Sequence, residues 1–592
     1  MKPTKIENPE YFHKVIDCQY ACPAHTAVPE YIRLIDNERY EDAYMVNWDS
    51  NVFPGILGRI CDRPCEPACR RGRIDEEPVA ICRLKRVAAD YKSAIDERMP
   101  KIPQEKNGKK IGLIGGGPAS LTVARDLMVL GYEVDLYDDQ QKAGGFIRTQ
   151  VPSFRLPEKV LDEEVNRILD FGVNAIFGHY VKSLKEIVDK GYDAVFVGTG
   201  APRGRDLPNL PGRELGDKFI HIGIEWLAAV LYRHVEKTGK RVLVLGGGNT
   251  AMDCCRTARR LGGDEVKVIV RSPRAEMKAS PWEIEDAERE DVEIIDNHVP
   301  LEFVVENGVL TGMRFDRVEP KYDDNGKRSL VSTGEEPVFI PCDEVLLAVG
   351  QQNAYPFIER DIGIEFSENG LPVIDPVTLQ STLPQVFFGG DAAFGPRNVI
   401  TAVAHGHEAG LSIHLFCQGQ DLHNRPHPMV KMQGQKMGIH DWLYDSHVTE
   451  EDRQEVIMVE KVKSIQDRLI EVELGFDHDR GQREAKRCLN CDVQTVFDPA
   501  TCIECDACVD ICPVSCINFT DNADEEPMRA KLIIPAQNRD QALYVSASLP
   551  TGRIMVKDEN VCLHCGLCAE RCPTSSWEMV KFIYKAPQAG MK

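Results

Sequence analysis

Two short runs near the C-terminus constrain this 592-residue chain more than any other feature. Residues 502–513 read CIECDACVDICP and residues 562–573 read CLHCGLCAERCP, so both are C-x2-C-x2-C-x3-C-P. At this spacing a tight loop wraps three thiolates around one face of an iron-sulfur cubane, while the fourth Cys, on the following helix, points to the other cluster. The expected wiring is therefore crossed. Cys502, Cys505, Cys508 and Cys572 would hold one [4Fe-4S] cluster, and Cys562, Cys565, Cys568 and Cys512 a second. A pair of zinc knuckles would need two C-x2-C pairs or His partners, not four Cys closing in Pro. Cys516, one helical turn past Cys512, is left unassigned.

The other cysteines are as uneven. Of 21 in all, six lie between positions 18 and 82, eleven between 488 and 572, and four between those groups. Met1 to Asp17 has no apolar signal-like core, and no apolar run reaches the ~18 residues of a membrane span, so the expected location is cytoplasmic, with no membrane partner. In that compartment grouped cysteines are metal ligands rather than disulfide partners. The formal net charge of -22, with no concentrated basic face, argues against nucleic acid.

The middle of the chain carries two glycine loops. Residues 110–139 run from an apolar strand through Gly115-x-Gly117, with Pro118 and Ala119 opening a helix, to a second strand ending at Asp138. The glycines admit a pyrophosphate at the helix N-terminus, and the acidic residue suits a ribose hydroxyl. Ser120 replaces the third glycine, which predicts slightly looser helix-strand packing. Gly144, Gly145 and Arg155 continue this fold. Residues 241–271 repeat the design with Gly246-x-Gly248-x-x-Ala251, Asn249 and Thr250 lying inside it. The second strand ends in Arg271 and Arg274 with no acidic residue, which favours NADPH over NADH, unless both are solvated surface charges.

On these motifs residues 110–415 resemble the flavoproteins with two dinucleotide-binding domains, above all the small subunit of bacterial glutamate synthase. The resemblance implies FAD on the first fold, completed by Gly390 and Asp391, and NAD(P)H on the second. By it Asp391 would meet the FAD ribityl or phosphate region, and Gly144 and Gly145 would pass close to the flavin. The helix with Thr401 and Ala402 would point its N-terminus at the pyrimidine end. Disulfide-reductase relatives carry a redox Cys pair, but Cys254 and Cys255 lie inside the nucleotide-binding helix and read as buried structure. Residues 496–585 are similar to bacterial two-cluster ferredoxins, with Asn518 to Ile554 as an inserted loop.

Residues 18–23 form C-x3-C-P and residues 61–69 a Cys triplet. Glutamate synthase small subunits and the N-terminal part of dihydropyrimidine dehydrogenase carry these in a helical domain with two [4Fe-4S] clusters, together with an E-A-x-R-C-L-x-C segment. That segment occurs here at 483–491, which implies that it folds back across the flavin domains. The expected sets are Cys18, Cys69, Cys488 and Cys491 for one cluster, and Cys22, Cys61 and Cys65 for another. The relatives' fourth ligand aligns with Lys85 and Arg86, which cannot ligate, so Cys82 on the same helical face is taken. The alternative is one cluster with the remaining thiols as buried structure. His13 and His25 read as solvated or capping residues.

The expected fold is α/β, with two Rossmann-like dinucleotide-binding domains between an N-terminal α-helical iron-sulfur domain and a C-terminal α+β ferredoxin-like domain. Boundaries are expected at 1–105 for the helical domain, 106–231 with 341–420 for FAD, 232–340 for NAD(P), 421–495 for the returning linker and 496–592 for the ferredoxin-like domain. Four [4Fe-4S] clusters, FAD and NAD(P)H then describe an oxidoreductase subunit passing electrons between nicotinamide and a ferredoxin or a catalytic partner subunit in a hetero-oligomer, with no catalytic side chain required. Two other readings are an electron-bifurcating flavoenzyme and an electron-wiring scaffold whose second fold no longer binds nicotinamide.

Overall fold

The computed structural model describes residues 1–323, 326, 328–435, 448–521, 524–530 and 541–591. The first hundred residues are helical, and Val28–Asp36, Tyr40–Asn51, Pro54–Ile60 and Ile81–Tyr91 pack on one another. Val28–Asp36 shows why. Val28, Tyr31, Ile32 and Ile35 recur at helical spacing and are all buried, Pro29 sits in the first turn where no N–H is needed, and Asn37 closes the helix by donating to the Arg33 carbonyl.

Two parallel five-stranded sheets follow. The first has the order Val386–Phe388, Ala194–Val197, Lys110–Ile114, Glu133–Tyr137, Asn174–Ile176. Its strands are short apolar runs, as expected for a sheet covered on both faces. The helix Pro118–Met128 covers one face, and the long helix Val399–Cys417 crosses it at Gly406, where a Cβ would stand 2.5 Å from that of Thr122. Next to this crossing His407 places Nδ1 2.6 Å from Asp126 and Nε2 2.8 Å from the Ser50 carbonyl, fastening the helical domain to the sheet. Burial opposes ionisation of Asp126, but the His407 and Arg125 charges outweigh it and hold the carboxyl below its ordinary value. The looser packing expected at Ser120 does not occur. Ser120 is fully buried, and the facing position is Gly198, whose Cβ would stand 2.3 Å from Ser120 Oγ, so the missing side chain has moved to the opposite element.

The second sheet has the order Ile220–Ile222, Glu344–Leu347, Arg241–Leu245, Glu265–Ile269, Glu293–Ile295. Ile220–Ile222 and Glu344–Leu347 lie beyond the expected 232–340 limits: the chain enters and leaves this domain through these paired strands, and the antiparallel pair Arg203–Gly204 with Gln351–Gln352 marks the crossing. An antiparallel sheet of His298–Glu306, Val309–Tyr322, Arg328–Ser332 and Val338–Pro341 extends the insertion. At the C-terminal end, Ile517–Thr520, Ile554–Lys557 and Tyr544–Val545 form one antiparallel sheet, and Trp577–Lys585 pairs with Val493–Phe497 in another. The stretch expected to be linker supplies a third strand to the latter, Met429–Gln435, which pairs antiparallel with Trp577–Lys585 from Met429 opposite Lys585 to Gln435 opposite Met579. No helix of the described residues is long and apolar enough to cross a membrane.

Candidate functional site

A cavity of about 670 Å³ opens between the two parallel-sheet domains. Gly115, Gly117, Pro118, Ala119, Asp138, Gly145, Arg155, Gly390, Asp391 and Ala402 of the expected first-fold residues line it, as do Asn249 and Thr250 at the start of the second nucleotide helix. The loop that follows Lys110–Ile114 turns at Gly115, with φ +91°, where a Cβ would stand 2.7 Å from the Gly198 carbonyl oxygen. Asp138 accepts from Gly116 N–H at 2.5 Å and from Gln140 N–H at 2.8 Å, so its carboxylate braces the glycine loop at the cavity wall. Gly145 packs on Gly117, and Gly144 N–H donates to the Gly116 carbonyl. Gly390 takes φ +60°, and a Cβ there would stand 3.3 Å from that of Ala119. Burial pushes the Asp391 carboxyl up to about 6.

Three expected residues play other parts here. The Arg155 guanidinium is committed to Asp253, at 2.7 Å, and to Glu283, so it clamps the nucleotide domain to the flavin domain. Thr401 does not line the cavity. Its N–H and hydroxyl both donate to Asn398, the cap of the helix Val399–Cys417, and it is Asn398, Val399 and Arg397 that reach the wall. Arg274 pairs with Glu288 at 2.6 Å, whereas Arg271 is exposed with no ion-pair partner among the described residues. Gly246, Gly248 and Ala251 form the second glycine turn outside the cavity lining; a Cβ on Gly246 would meet the Ala348 carbonyl oxygen at 2.2 Å. Cys254 and Cys255 are completely buried in the core beneath the second sheet.

Sequence reasoning missed Ile60 and Asp62. They flank Cys61 in the helical domain, yet both line the flavin-side cavity, and Asn249 Nδ2 donates to Asp62 at 3.2 Å. Arg63, the next residue, lies over the Trp282 ring of the nucleotide domain at 3.9 Å. One loop thus touches all three domains. No signal in the residue types around Cys61 pointed to it.

The cysteines gather in four groups. Cys502, Cys505, Cys508 and Cys572 surround one small cavity with Phe497, Phe519 and Trp577. Cys562, Cys565, Cys568 and Cys512 surround a second, which Cys516 also enters, its sulfur 3.5 Å from that of Cys512. Glu504 and His564 take positive φ at matching positions, turning their N–H groups onto Cys502 and Cys562 at 3.4 Å. The N–H groups of Cys516 and Ser576 likewise meet Cys512 and Cys572, at 3.3 and 3.2 Å. Such donors stabilise thiolate, and a four-thiolate set of this kind fits an iron-sulfur cubane.

At the other end, burial and then the neighbouring thiols of Cys491, Cys69 and Cys488 hold Cys18 above its ordinary range, so the four face one another. The returning segment is fixed by Arg33, which donates to Asp492 at 2.8 Å and Asn490 at 3.1 Å, by Glu484, which accepts from Ala80 N–H at 2.7 Å, and by Gln482, which donates to the Ile35 carbonyl at 2.7 Å. Cys22, Cys61, Cys65 and Cys82 form the remaining group around the buried Lys85. Tyr31, fully buried, faces thiols of both N-terminal groups, and Arg70, next to Cys69, donates to the Cys562 carbonyl at 2.7 Å. The groups therefore form a series from the cavity to the C-terminal module. His13 is not solvated: it is buried and stacked on Tyr584 at 3.7 Å.

Residues 109–406 match the family model described as pyridine nucleotide-disulphide oxidoreductase. Residues 13–97 match dihydropyrimidine dehydrogenase domain II, 4Fe-4S cluster, and residues 501–576 match the 4Fe-4S dicluster domain. The chain is 36% identical over 508 residues to NADP(+)-dependent formate dehydrogenase subunit beta of Moorella thermoacetica, covering 80% of this chain and 70% of that protein. It is 31% identical to NADPH-Fe(3+) oxidoreductase subunit beta of Geobacter sulfurreducens, covering 82% and 77%. Against the glutamate synthase [NADPH] small chain of Azospirillum brasilense the identity is 33%, covering 68% and 86%. With its paired dinucleotide folds, glycine-lined cavity and thiol groups at both ends, the chain belongs to the pyridine nucleotide-disulphide oxidoreductase family as an FAD- and pyridine-nucleotide-dependent oxidoreductase carrying 4Fe-4S domains.

Proposed function

We propose that this chain is the electron-transfer subunit of a cytoplasmic complex, moving electrons between NADPH and four [4Fe-4S] clusters that lead to a partner subunit. The observation that carries this reading is the loop at Cys61: Ile60 and Asp62 wall the cavity while Cys61 faces Cys22, Cys65 and Cys82. Bound FAD supplies the exchange between hydride and single electrons. The chain's own residues do the rest. The glycine turn and the first N–H groups of the Pro118–Met128 helix receive a pyrophosphate, Asn398 holds the helix Val399–Cys417 end-on to the cavity, and Arg155 and Asp62 keep the nucleotide domain docked. The relatives' names pair similar chains with formate dehydrogenase, Fe(3+) reduction and glutamate synthase, so in this reading the partner subunit decides the final substrate.

Anaerobic stopped-flow tests the proposal. NADPH should bleach the flavin, followed by loss of cluster absorbance; no bleaching by NADPH or NADH would leave only a wiring scaffold. The free Arg271 carries the nucleotide preference. A charge-assisted bond to the 2′-phosphate is worth about 1.5 to 3 kcal/mol, so Arg271→Ala should raise the KM for NADPH about tenfold or more and barely change that for NADH. Faster reduction by NADH than by NADPH at equal subsaturating concentration would remove the NADPH assignment.

A further inference from the structure

The helix Ile81–Tyr91 carries three cations, Arg83, Lys85 and Arg86, and all three are buried. Two are neutralised by carboxylates: Arg83 pairs with Glu473, and Arg86 with Asp90 and Glu471 at 2.9 Å each. Lys85 is different. It is 4% exposed, and no carboxylate lies within ion-pair distance of it among the described residues. The groups that face its ammonium are Cys61, Cys82, Cys65 and Cys22. A buried cation without a counter-charge is expensive, and among the described residues the groups placed to supply one are these four sulfurs.

We infer that Lys85 is a positioning residue of charge: it offsets the negative charge of a cluster held by Cys22, Cys61, Cys65 and Cys82 and thereby raises that cluster's reduction potential above the value it would have without this cation. This rests on the ligand set in the proposed function. A [4Fe-4S] cluster with four thiolates gains one further negative charge on one-electron reduction, with no proton needed, so a fixed cation beside it favours the reduced form. Arg63 also faces Cys82, but its guanidinium is spread over the Trp282 ring, which leaves Lys85 as the compact charge at the site. Because Ile60 and Asp62 bring this same group to the cavity wall, the effect falls on the cluster that meets the flavin side first.

The test is EPR-monitored redox titration of the full chain, isolated anaerobically, with iron content measured in parallel. Lys85→Met keeps the length of the side chain and removes the charge; Lys85→Arg keeps the charge. In Lys85→Met one cluster should become at least tenfold harder to reduce, which is 59 mV for one electron, with the other signals unmoved. Lys85→Arg should stay within about threefold of wild type. Loss of that one cluster in Lys85→Met with retention in Lys85→Arg would also support the charge role, as a requirement for assembly. An unchanged potential in Lys85→Met, or the same shift or loss in both variants, would overturn it. A wild-type chain lacking this cluster, at about twelve iron atoms, would overturn the ligand set itself and is recognised before any variant is compared.

Discussion

Cys491→Ala should lower the iron content of the anaerobically isolated chain from about sixteen atoms to about twelve, or convert one cubane to a three-iron form, while the signals of the C-terminal pair persist. The expectation follows from placement. Cys491 precedes Cys502 by a single strand, yet its thiol faces Cys18, Cys69 and Cys488 across the chain, and the Cys502 and Cys562 groups share none of these residues. A simultaneous loss of C-terminal signals would place Cys491 with the ferredoxin-like module, and an unchanged iron count would remove it from any cluster.

Gly115→Val should abolish stable FAD retention. A side chain at φ +91° pays about 1 to 3 kcal/mol of backbone strain, and its Cβ, 2.7 Å from the Gly198 carbonyl oxygen, adds about 1 to 3 kcal/mol of overpacking. Together, at about 2 to 6 kcal/mol, these weaken binding by about thirtyfold or more. Gly191→Val is the control: φ there is +81°, but a Cβ meets nothing within 4 Å, so strain alone is added and FAD should stay bound. Flavin fluorescence after gel filtration reads both. Full flavin content in Gly115→Val would show that the cavity's glycine wall does not hold the cofactor.

What could be read from the residues was what is local. The crossed ferredoxin motifs, the glycine turns at Gly115 and Gly246 and the return at Gly390 each depend on a few neighbouring positions whose backbone demands show in the residue types. The returning Cys488–Cys491 segment was legible because its motif stands intact in an unusual place. Contacts set by tertiary packing were not. Asp62 reaches the cavity from another domain, Gly198 takes up the volume of Ser120, and Glu288 claims Arg274 from a helix fourteen residues on. Lys85 was passed over because it cannot ligate, although its burial among four thiols makes it informative. The strand Met429–Gln435 carries no clear alternation of its own and takes its register from Trp577–Lys585.

In the proposed function nicotinamide electrons leave the flavin for the clusters within this one polypeptide. Anaerobic titration with NADPH, counting electron equivalents against flavin absorbance and low-temperature EPR, tests it directly. Uptake should exceed the about two equivalents that FAD alone accepts, with reduced-cluster signals appearing as the flavin bleaches. Uptake that stops at about two equivalents with EPR-silent clusters would contradict it.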